Sequence, residues 1–302
     1  MREARNRGGP VTVEFHKMRV AFQGEPGAFS EAAALQLLGH EITTVPRPTF
    51  DAAFRAVSDG TADALLAPIE NTLAGSVIRV YDLLLESTLC IVAETVLPIE
   101  HHLIGCVGAK LADIRSVASH PMALAQCEGF FVSHPTVRRI TAEDTAGSVR
   151  DILARGDRSA AAIAGRRAAE HYQGVILASH IQDNPENFTR FVLLLDLMQA
   201  PHLDVHGARK MSLVFGLPHR PGALLAALEP FSRYGVNLQK IESRPIHGRP
   251  FEYQFFVDVE ADSREQLDDA LKAAAAESRF ADDKVRVLGF YPRAGALPKR
   301  TS

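Results

Sequence analysis

The sequence predicts an α/β protein of two domains, the first built from alternating strands and helices and the second a ferredoxin-like sandwich. Three observations carry this. The chain has 302 residues, and at roughly 150 residues per domain that length suggests two. From residue 18 to about 197, short apolar runs alternate with helix-period runs, the mark of an α/β sheet. From 210 to 291 the order becomes βαββαβ, which describes two helices on a four-stranded antiparallel sheet.

The elements follow in order. "MREARNRGGPVTVEFHKM" is Arg-rich, lacks the apolar core of a secretory signal and carries a helix-breaking Gly-Gly-Pro, so 1–17 are expected as a loose tail. "MRVAFQGEPGAFSEAAALQLLG" reads as a strand over 18–22, a Gly/Pro turn over 23–27 and a helix closed by Gly39. The alternation recurs in "ALLAPIEN" and "SVIRVYDLLLES", in "IRSVASHP" and "MALAQCEGFFVSH", and in "SAAAIAG" and "RRAAEHYQG". "IQDNPENFTRFVLLL" ends in a run of apolar residues over 191–195, bounded upstream by Asn-Pro, that reads as a buried strand. The first domain is therefore expected over 18–199, a linker over 200–209, the second domain over 210–291 and a C-terminal tail over 292–302. The second domain's elements are "KMSLVFGL", "PGALLAALEPFSRYG", "VNLQKIESRPI", "FEYQFFVDVE", "SREQLDDALKAAAAES" and "KVRVLGF".

Bulk properties narrow the function. Hydrophobic residues make up 46% of the chain, enough for a proper core, and the net charge of −3 offers no basic field for nucleic acid or an anionic membrane. No apolar run approaches the ~18 residues of a membrane span. Cys90, Cys106 and Cys127 are too few and too scattered for a disulfide framework or a zinc site, so a cytosolic protein with free thiols is expected. His101 and His102 are adjacent, and neighbours on a strand face opposite ways. With no HExxH motif or Cys/His cluster, no metal is expected, and the glycine spacing of "GEPGAFSEAA" does not fit a dinucleotide fingerprint.

In open α/β sheets, ligands bind beyond the carboxyl ends of the strands, where the polar loops of this chain also fall. "GEPGAFSEAA" delivers Gly27 and Ser30 to a helix N-terminus, which either receives an anion or is a plain capped turn. Glu70 and Asn71 of "PIENTLAGSV" either orient a substrate hydroxyl or ketone or make an Asx-type turn. Beyond Ser119, Gln126 is either a donor facing a cleft or a solvated helix residue. Asp144 or Thr145 is a natural N-cap. Thr189 and Arg190 either stand at the edge of a cleft or form a turn hydroxyl and a structural ion pair.

Taken as a set, "GEPGAFSEAA", "PIENTLAGSV", "SHPMALAQC", "DTAGSV", "AAIAGRRAAEHY" and "IQDNPENFTRF" resemble prephenate dehydratase over nearly the whole chain, from about 18 to 290. The resemblance implies a two-lobed periplasmic-binding-protein-type catalytic domain with its active site between the lobes. It makes Thr189 of "TRF" the central catalytic residue, with Glu70, Asn71 and Gln126 binding or orienting the substrate. Arg190, Phe191, Gly27, Ser30, Ser119 and Thr145 are the expected further substrate contacts. The C-terminal unit is similar to an ACT domain. "RPGAL" (Pro221, Gly222, Ala223, Leu224) and "ESRP" (Glu242, Ser243, Arg244, Pro245), with Asn237 and Leu238, are its expected L-phenylalanine site. The chain departs from the family at Gly165, where Ser is frequent, and at Met122, where Gln is frequent; "HYQGVIL" also differs locally.

The implied chemistry suits the composition. Prephenate loses carbon dioxide and water, and aromatisation drives the reaction, so no cofactor is needed. The departing hydroxyl has to be protonated, which Thr189 can assist and Glu70 can support. The ring carboxylate loses its charge in the transition state, so a tight cation there would favour the ground state. A strong anchor, whether Arg190 or the helix end at 24–30, should therefore hold the pyruvyl carboxylate. Arogenate dehydratase and a non-catalytic small-molecule sensor are the competing readings. A cytoplasmic homodimer or homotetramer is expected.

Overall fold

The alternation read in the sequence resolves into three sheets. The structure, a computed structural model, describes residues 17–196, 208–246, 248, 252–277 and 285–294. The expected tail before 17, most of the linker and the end of the C-terminal tail lie outside the described residues.

The first lobe runs β1 (Arg19–Gln23), α1 (Phe29–Leu38), β2 (Thr43–Arg47), α2 (Phe50–Ser58), β3 (Ala64–Asn71), β4 (Gly75–Ser76), α3 (Ile78–Glu86) and β5 (Leu89–Pro98). The chain then crosses to the second lobe. That lobe comprises β6 (His102–Gly105), β7 (Ser116–Ser119), α4 (Pro121–Ala125), α5 (Glu128–Ser133), β8 (Arg138–Thr141), α6 (Thr145–Arg155), β9 (Ala160–Ala164), α7 (Arg166–Tyr172) and β10 (Val175–Ala178). The chain returns through 179–187 to β11 (Phe188–Asp196), which rejoins the first sheet. The sheet orders are β2-β1-β3-β11-β5, with β4 on β3, and β10-β6-β9-β7-β8. Two lobes joined by two crossings make the architecture the sequence predicts.

Local chemistry explains the ends. Thr49 caps α2 by accepting from the Ala52 N–H, Asp144 caps α6 by accepting from the Gly147 N–H, and Gly156 closes α6 in the left-handed region. The helix expected over "MALAQCEGFFVSH" is broken in two. Cys127 leaves helical geometry, and the Asp183 carboxylate caps the new start by accepting from Glu128 N at 2.7 Å and Gly129 N at 2.8 Å. The break leaves Gln126 at the C-cap of α4. The run 191–195 is buried throughout, at 0–2% exposure. Burial at this level stabilises by roughly 1.5–3 kcal/mol per large apolar side chain.

The C-terminal domain is β12 (Lys210–Gly216), α8 (Ala223–Arg233), β13 (Asn237–Pro245), β14 (Tyr253–Glu260), α9 (Arg264–Glu277) and β15 (Val285–Tyr291). Its sheet order is β13-β14-β12-β15, with every pairing antiparallel. Met211, Leu213, Phe215, Phe231, Val257 and Leu267 centre its core.

Two compact units divide the described residues. One holds both lobes, up to Ser87 and over Thr95–Leu193; the other groups Thr88–Glu94 with the chain from Leu194 onward. Within the latter, Lys210 donates to both carboxylate oxygens of Glu94, at 2.8 and 2.7 Å, in a buried ion pair. Gly289 lies against the Ile91 carbonyl, where a Cβ would collide.

His102 opens β6 fully buried. Its Nδ1 accepts from the His180 backbone N–H at 3.4 Å. Burial, with Arg166 and His180 nearby, lowers its pKa to about 4. In the unfolded chain the ring takes up a proton near pH 6.5. The unfolded state therefore binds more protons between about pH 6.5 and 4, and stability falls as pH drops through that window. His102→Gln should flatten this part of the profile, as followed by urea denaturation at stepped pH. An unchanged profile would remove His102 as the cause.

Candidate active site

Between the two lobes lies a cavity of about 380 Å³. The first lobe supplies Ser30 from α1, Asn71 from the end of β3, and Thr189 and Phe191 from β11; the second supplies Gln126 and Thr145. His101, from the outgoing crossing, also faces it.

Strand alternation sorts the "TRF" residues. Thr189 and Phe191 face the cavity, while Arg190 does not line it and instead stands 3.7 Å from the Glu70 carboxylate. Glu70 likewise lies outside the lining. Thr189 is thus a cleft residue and Arg190 part of an ion pair, so each of the two readings of this stretch describes one residue.

Asn71 makes the Asx turn and reaches the cavity at once. Its Oδ1 accepts from the N–H groups of Leu73 at 3.0 Å and Ala74 at 2.8 Å. Its Nδ2 lies 2.7 Å from Asn187 Oδ1, 2.9 Å from Thr189 Oγ1 and 3.1 Å from the Phe188 carbonyl. Gln126 Oε1 lies 2.9 Å from His101 Nε2 and 3.2 Å from Asn187 Nδ2. Burial holds the His101 imidazole below its ordinary pKa, against the opposing hydrogen bond to Gln126. The ring is therefore neutral near pH 7. Sequence reasoning missed Asn187 as a site residue and weighed His101 only as a metal ligand. A polar residue just before a buried strand was the one available signal.

Two further expected contacts, like Arg190, sit elsewhere. Ser119 is fully buried and donates to the Ile163 carbonyl at 2.6 Å. Gly27 is outside the main cavity, has φ +89° and donates its N–H to Glu31 Oε2 at 2.8 Å. The same carboxylate oxygen accepts from Arg167 Nε at 3.2 Å, tying α1 to α7 across the lobes. Gly165, the departure from Ser, makes room for an aromatic side chain: a Cβ there would stand 2.9 Å from the Phe29 ring.

The cavity's charge is one-sided. Among its described lining residues, Glu143 and Asp144 are acidic and none is Lys or Arg. Asp144 is engaged in capping α6, whereas α1 has no side-chain cap and presents its first N–H groups at the Ser30 end. Among the described residues, no three His, Cys, Asp or Glu side chains are grouped to hold a metal.

In the C-terminal domain, Ala223 and Leu224 line a cavity of about 140 Å³ with His219, Arg220 and Tyr253. Pro221 and Gly222 stand beside it. Asn237, Leu238, Glu242, Ser243, Arg244 and Pro245 lie along the edge strand β13, outside that cavity. Gly222 has φ +77°, a conformation that L side chains rarely adopt, and a Cβ there would meet no protein atom within 4 Å.

A two-lobed α/β enzyme domain with polar donors in its cleft, followed by a βαββαβ sandwich, is the class this architecture defines. The sequence model of prephenate dehydratase matches residues 20–198, and that of the ACT domain matches 211–276. An arogenate dehydratase/prephenate dehydratase 1 of Arabidopsis thaliana is 41% identical over 290 residues, covering 91% of this chain and 72% of that one. A prephenate dehydratase from Arthrobacter aurescens, solved in complex with L-Phe, superposes with a TM-score of 0.80 at 33% identity, covering 94% and 93%. A protein described as a novel type of quorum quenching acylase superposes with a TM-score of 0.81 at 33% identity, covering 92% and 98%. The chain belongs to the prephenate dehydratase family, with a C-terminal ACT domain, and is a dehydratase of the lyase class.

Gly27 tests how tightly the lobes meet. A Cβ there would lie 2.7 Å from the Ala168 Cα in α7, and its φ is one that L side chains rarely adopt. Gly27→Ala should destabilise by about 2 kcal/mol, the usual scale for backbone strain, and lower the melting temperature by several degrees. Gly39→Ala, with φ +85° but open space around it, is the control for strain alone. Calorimetry of both variants checks this; equal losses would show that the contact with α7 adds nothing.

Proposed function

We propose that this protein converts prephenate to phenylpyruvate in L-phenylalanine biosynthesis and is inhibited by L-phenylalanine through its ACT domain. The observation that carries the reading is Thr189, nine-tenths buried, with its hydroxyl in the cavity and its oxygen 2.9 Å from the Asn71 amide.

The C–O bond to the ring hydroxyl breaks as the ring carboxylate leaves as carbon dioxide, and the electron pair of that C–C bond completes the aromatic ring. One proton is consumed, and the hydroxyl departs as water. Thr189 donates to that oxygen, while Phe191 gives the ring an apolar wall. A hydroxyl is a weak acid, so Thr189 acts by hydrogen bonding or passes on a proton taken from solvent. Asn71 stabilises the threonine oxygen as charge develops on it.

The persistent carboxylate needs an anchor, and Arg190 is not placed to be it. The open N-terminus of α1 at Ser30 suits the role, through N–H groups and the partial positive charge of the helix end. Glu143 favours arogenate as a second substrate. An exposed carboxylate lining a cavity whose described lining carries no cationic side chain suits an α-ammonium better than a ketone. Ala223 and Leu224 are the natural receivers of L-phenylalanine, again beside a helix start. Exposed Leu238 and Ile241 on the β13 edge suit a second copy of the chain, in a homodimer or homotetramer working in the cytoplasm.

Thr189→Val should lower turnover of prephenate by about 10²-fold, the scale of a lost positioned donor, with Thr189→Ser retaining more. Phenylpyruvate formation, measured beside turnover of arogenate, checks the role and the preference together; a valine variant at wild-type rate would discard the role. For the effector, Ala223→Leu fills the small cavity and should weaken inhibition by about tenfold in L-phenylalanine concentration. Turnover is read against rising L-phenylalanine, and identical curves for the two proteins would move the effector site elsewhere.

A further inference from the structure

Amide side chains are ambiguous in isolation, because nitrogen and oxygen have the same shape. Here a chain of four side chains is fixed at one end by groups that cannot be reversed. The N–H groups of Leu73 and Ala74 can only donate, so the Asn71 atom they meet is the oxygen. The other end of Asn71 is therefore its NH₂, and the Asn187 atom 2.7 Å away is an oxygen. It follows that Asn187 turns its NH₂ to Gln126, and that Gln126 answers with Oε1 at 3.2 Å. The His101 Nε2 that meets the same oxygen at 2.9 Å must then carry the hydrogen.

We infer that Asn187 and His101 are positioning residues: their two donors hold the Gln126 oxygen away from the cavity, so that its NH₂ faces substrate as a fixed donor. The polarity extends to Thr189. An amide NH₂ cannot accept, so the Thr189 hydrogen is not used by Asn71 and remains available to the cavity. Two donors thus point inward, Thr189 held by the Asn71 amide and Gln126 by Asn187 and His101. His101 is 2% exposed and Asn187 1%. His101 Nδ1 is buried with no protein hydrogen-bond partner, as the bare nitrogen of an Nε2–H imidazole would be. Burial keeps that ring neutral, so it holds one proton and the proton sits on Nε2.

The members come from different parts of the fold. Asn71 belongs to the first lobe, Gln126 to the second, and Asn187 and His101 to the two crossings. Gln126 is therefore oriented only when both crossings are in place. An inward NH₂ selects for an acceptor on the substrate, a carboxylate or carbonyl oxygen, and against a donor.

The inference deepens the dehydratase reading and rests on it for its kinetic test. Asn187→Asp is isosteric; its carboxylate still accepts from Asn71 but places an oxygen against Gln126 Oε1. The Gln126 amide should turn over, presenting its oxygen to the cavity, and kcat should fall by about tenfold or more with a smaller change in KM. In a Gln126→Leu background, the same change should cost less than about threefold more, because its effect passes through the amide that is gone. Penalties that multiply in full would overturn the inference. Nitrogen NMR of the histidines, with the His101 signal identified by its loss in His101→Gln, gives an arm independent of substrate. Wild type should show Nε2 protonated and Nδ1 bare, with the proton moving to Nδ1 in Asn187→Asp. An Nδ1–H tautomer in the wild type would overturn the polarity without any variant needing to fold. A wild type that turned over neither prephenate nor arogenate would sink the dehydratase reading, while the tautomer would still decide the orientation.

Discussion

The cavity depends on how two short segments pass between the lobes side by side. The Ile99 N–H donates to the Asn187 carbonyl at 2.7 Å, and the Ile181 N–H donates to the His101 carbonyl at 2.9 Å. The His101 N–H donates to Gln182 Oε1 at 3.0 Å. Each bond joins the outgoing crossing to the returning one. Ile99, His101 and Asn187 are buried at 1–8% exposure, and an unpaired backbone group there would cost several kcal/mol on an alkane scale. Their pairing is therefore strongly enforced. His101 and Asn187 sit in it, so the groups behind the cleft inherit their positions from the backbone.

Much of this fold was legible because its signals are local. The strand before "GEPG", the Gly39 stop, the buried run at 191–195 and the βαββαβ order all follow from period and turn chemistry. The break between α4 and α5 was not legible. It comes from Asp183, more than fifty residues away, offering its carboxylate to two N–H groups of an otherwise continuous helical pattern. At the site, neighbouring residues in the sequence parted company in space. Thr189 and Arg190 are adjacent, yet a strand sends them to opposite faces, and which face meets the cleft is set by the sheet. Asn71 and Asn187 are separated by 116 positions and touch. No periodicity in either segment announces that contact.

The electrostatic character of the cleft follows from the same geometry. Arg190 is spent on Glu70, and Arg167 on Glu31 between the lobes. What remains for an anionic ligand is a set of neutral donors and a helix end. Such donors hold charge with less attraction than a guanidinium in contact, which suits a reaction in which one carboxylate has to lose its charge to proceed. A strong cation beside that carboxylate would stabilise the state the enzyme has to leave. The acidic rim at Glu143 acts in the same direction.

The pairing of Lys210 with Glu94 bears on how such chains are assembled from parts. By sequence, the C-terminal domain begins after residue 209 and looks like a cassette that could be cut away or exchanged. The compact unit containing it includes Thr88–Glu94, a piece of chain inherited with the other domain. A cut at 199 would strip Glu94 of its cation and uncover Ile91, on a strand that forms the border of the first sheet. Bare apolar borders of this kind recruit foreign strands. A transplanted domain would have to bring the counterpart of Lys210 and a glycine at the position of Gly289. Modularity here is a property of the reading frame that the folded surface does not share.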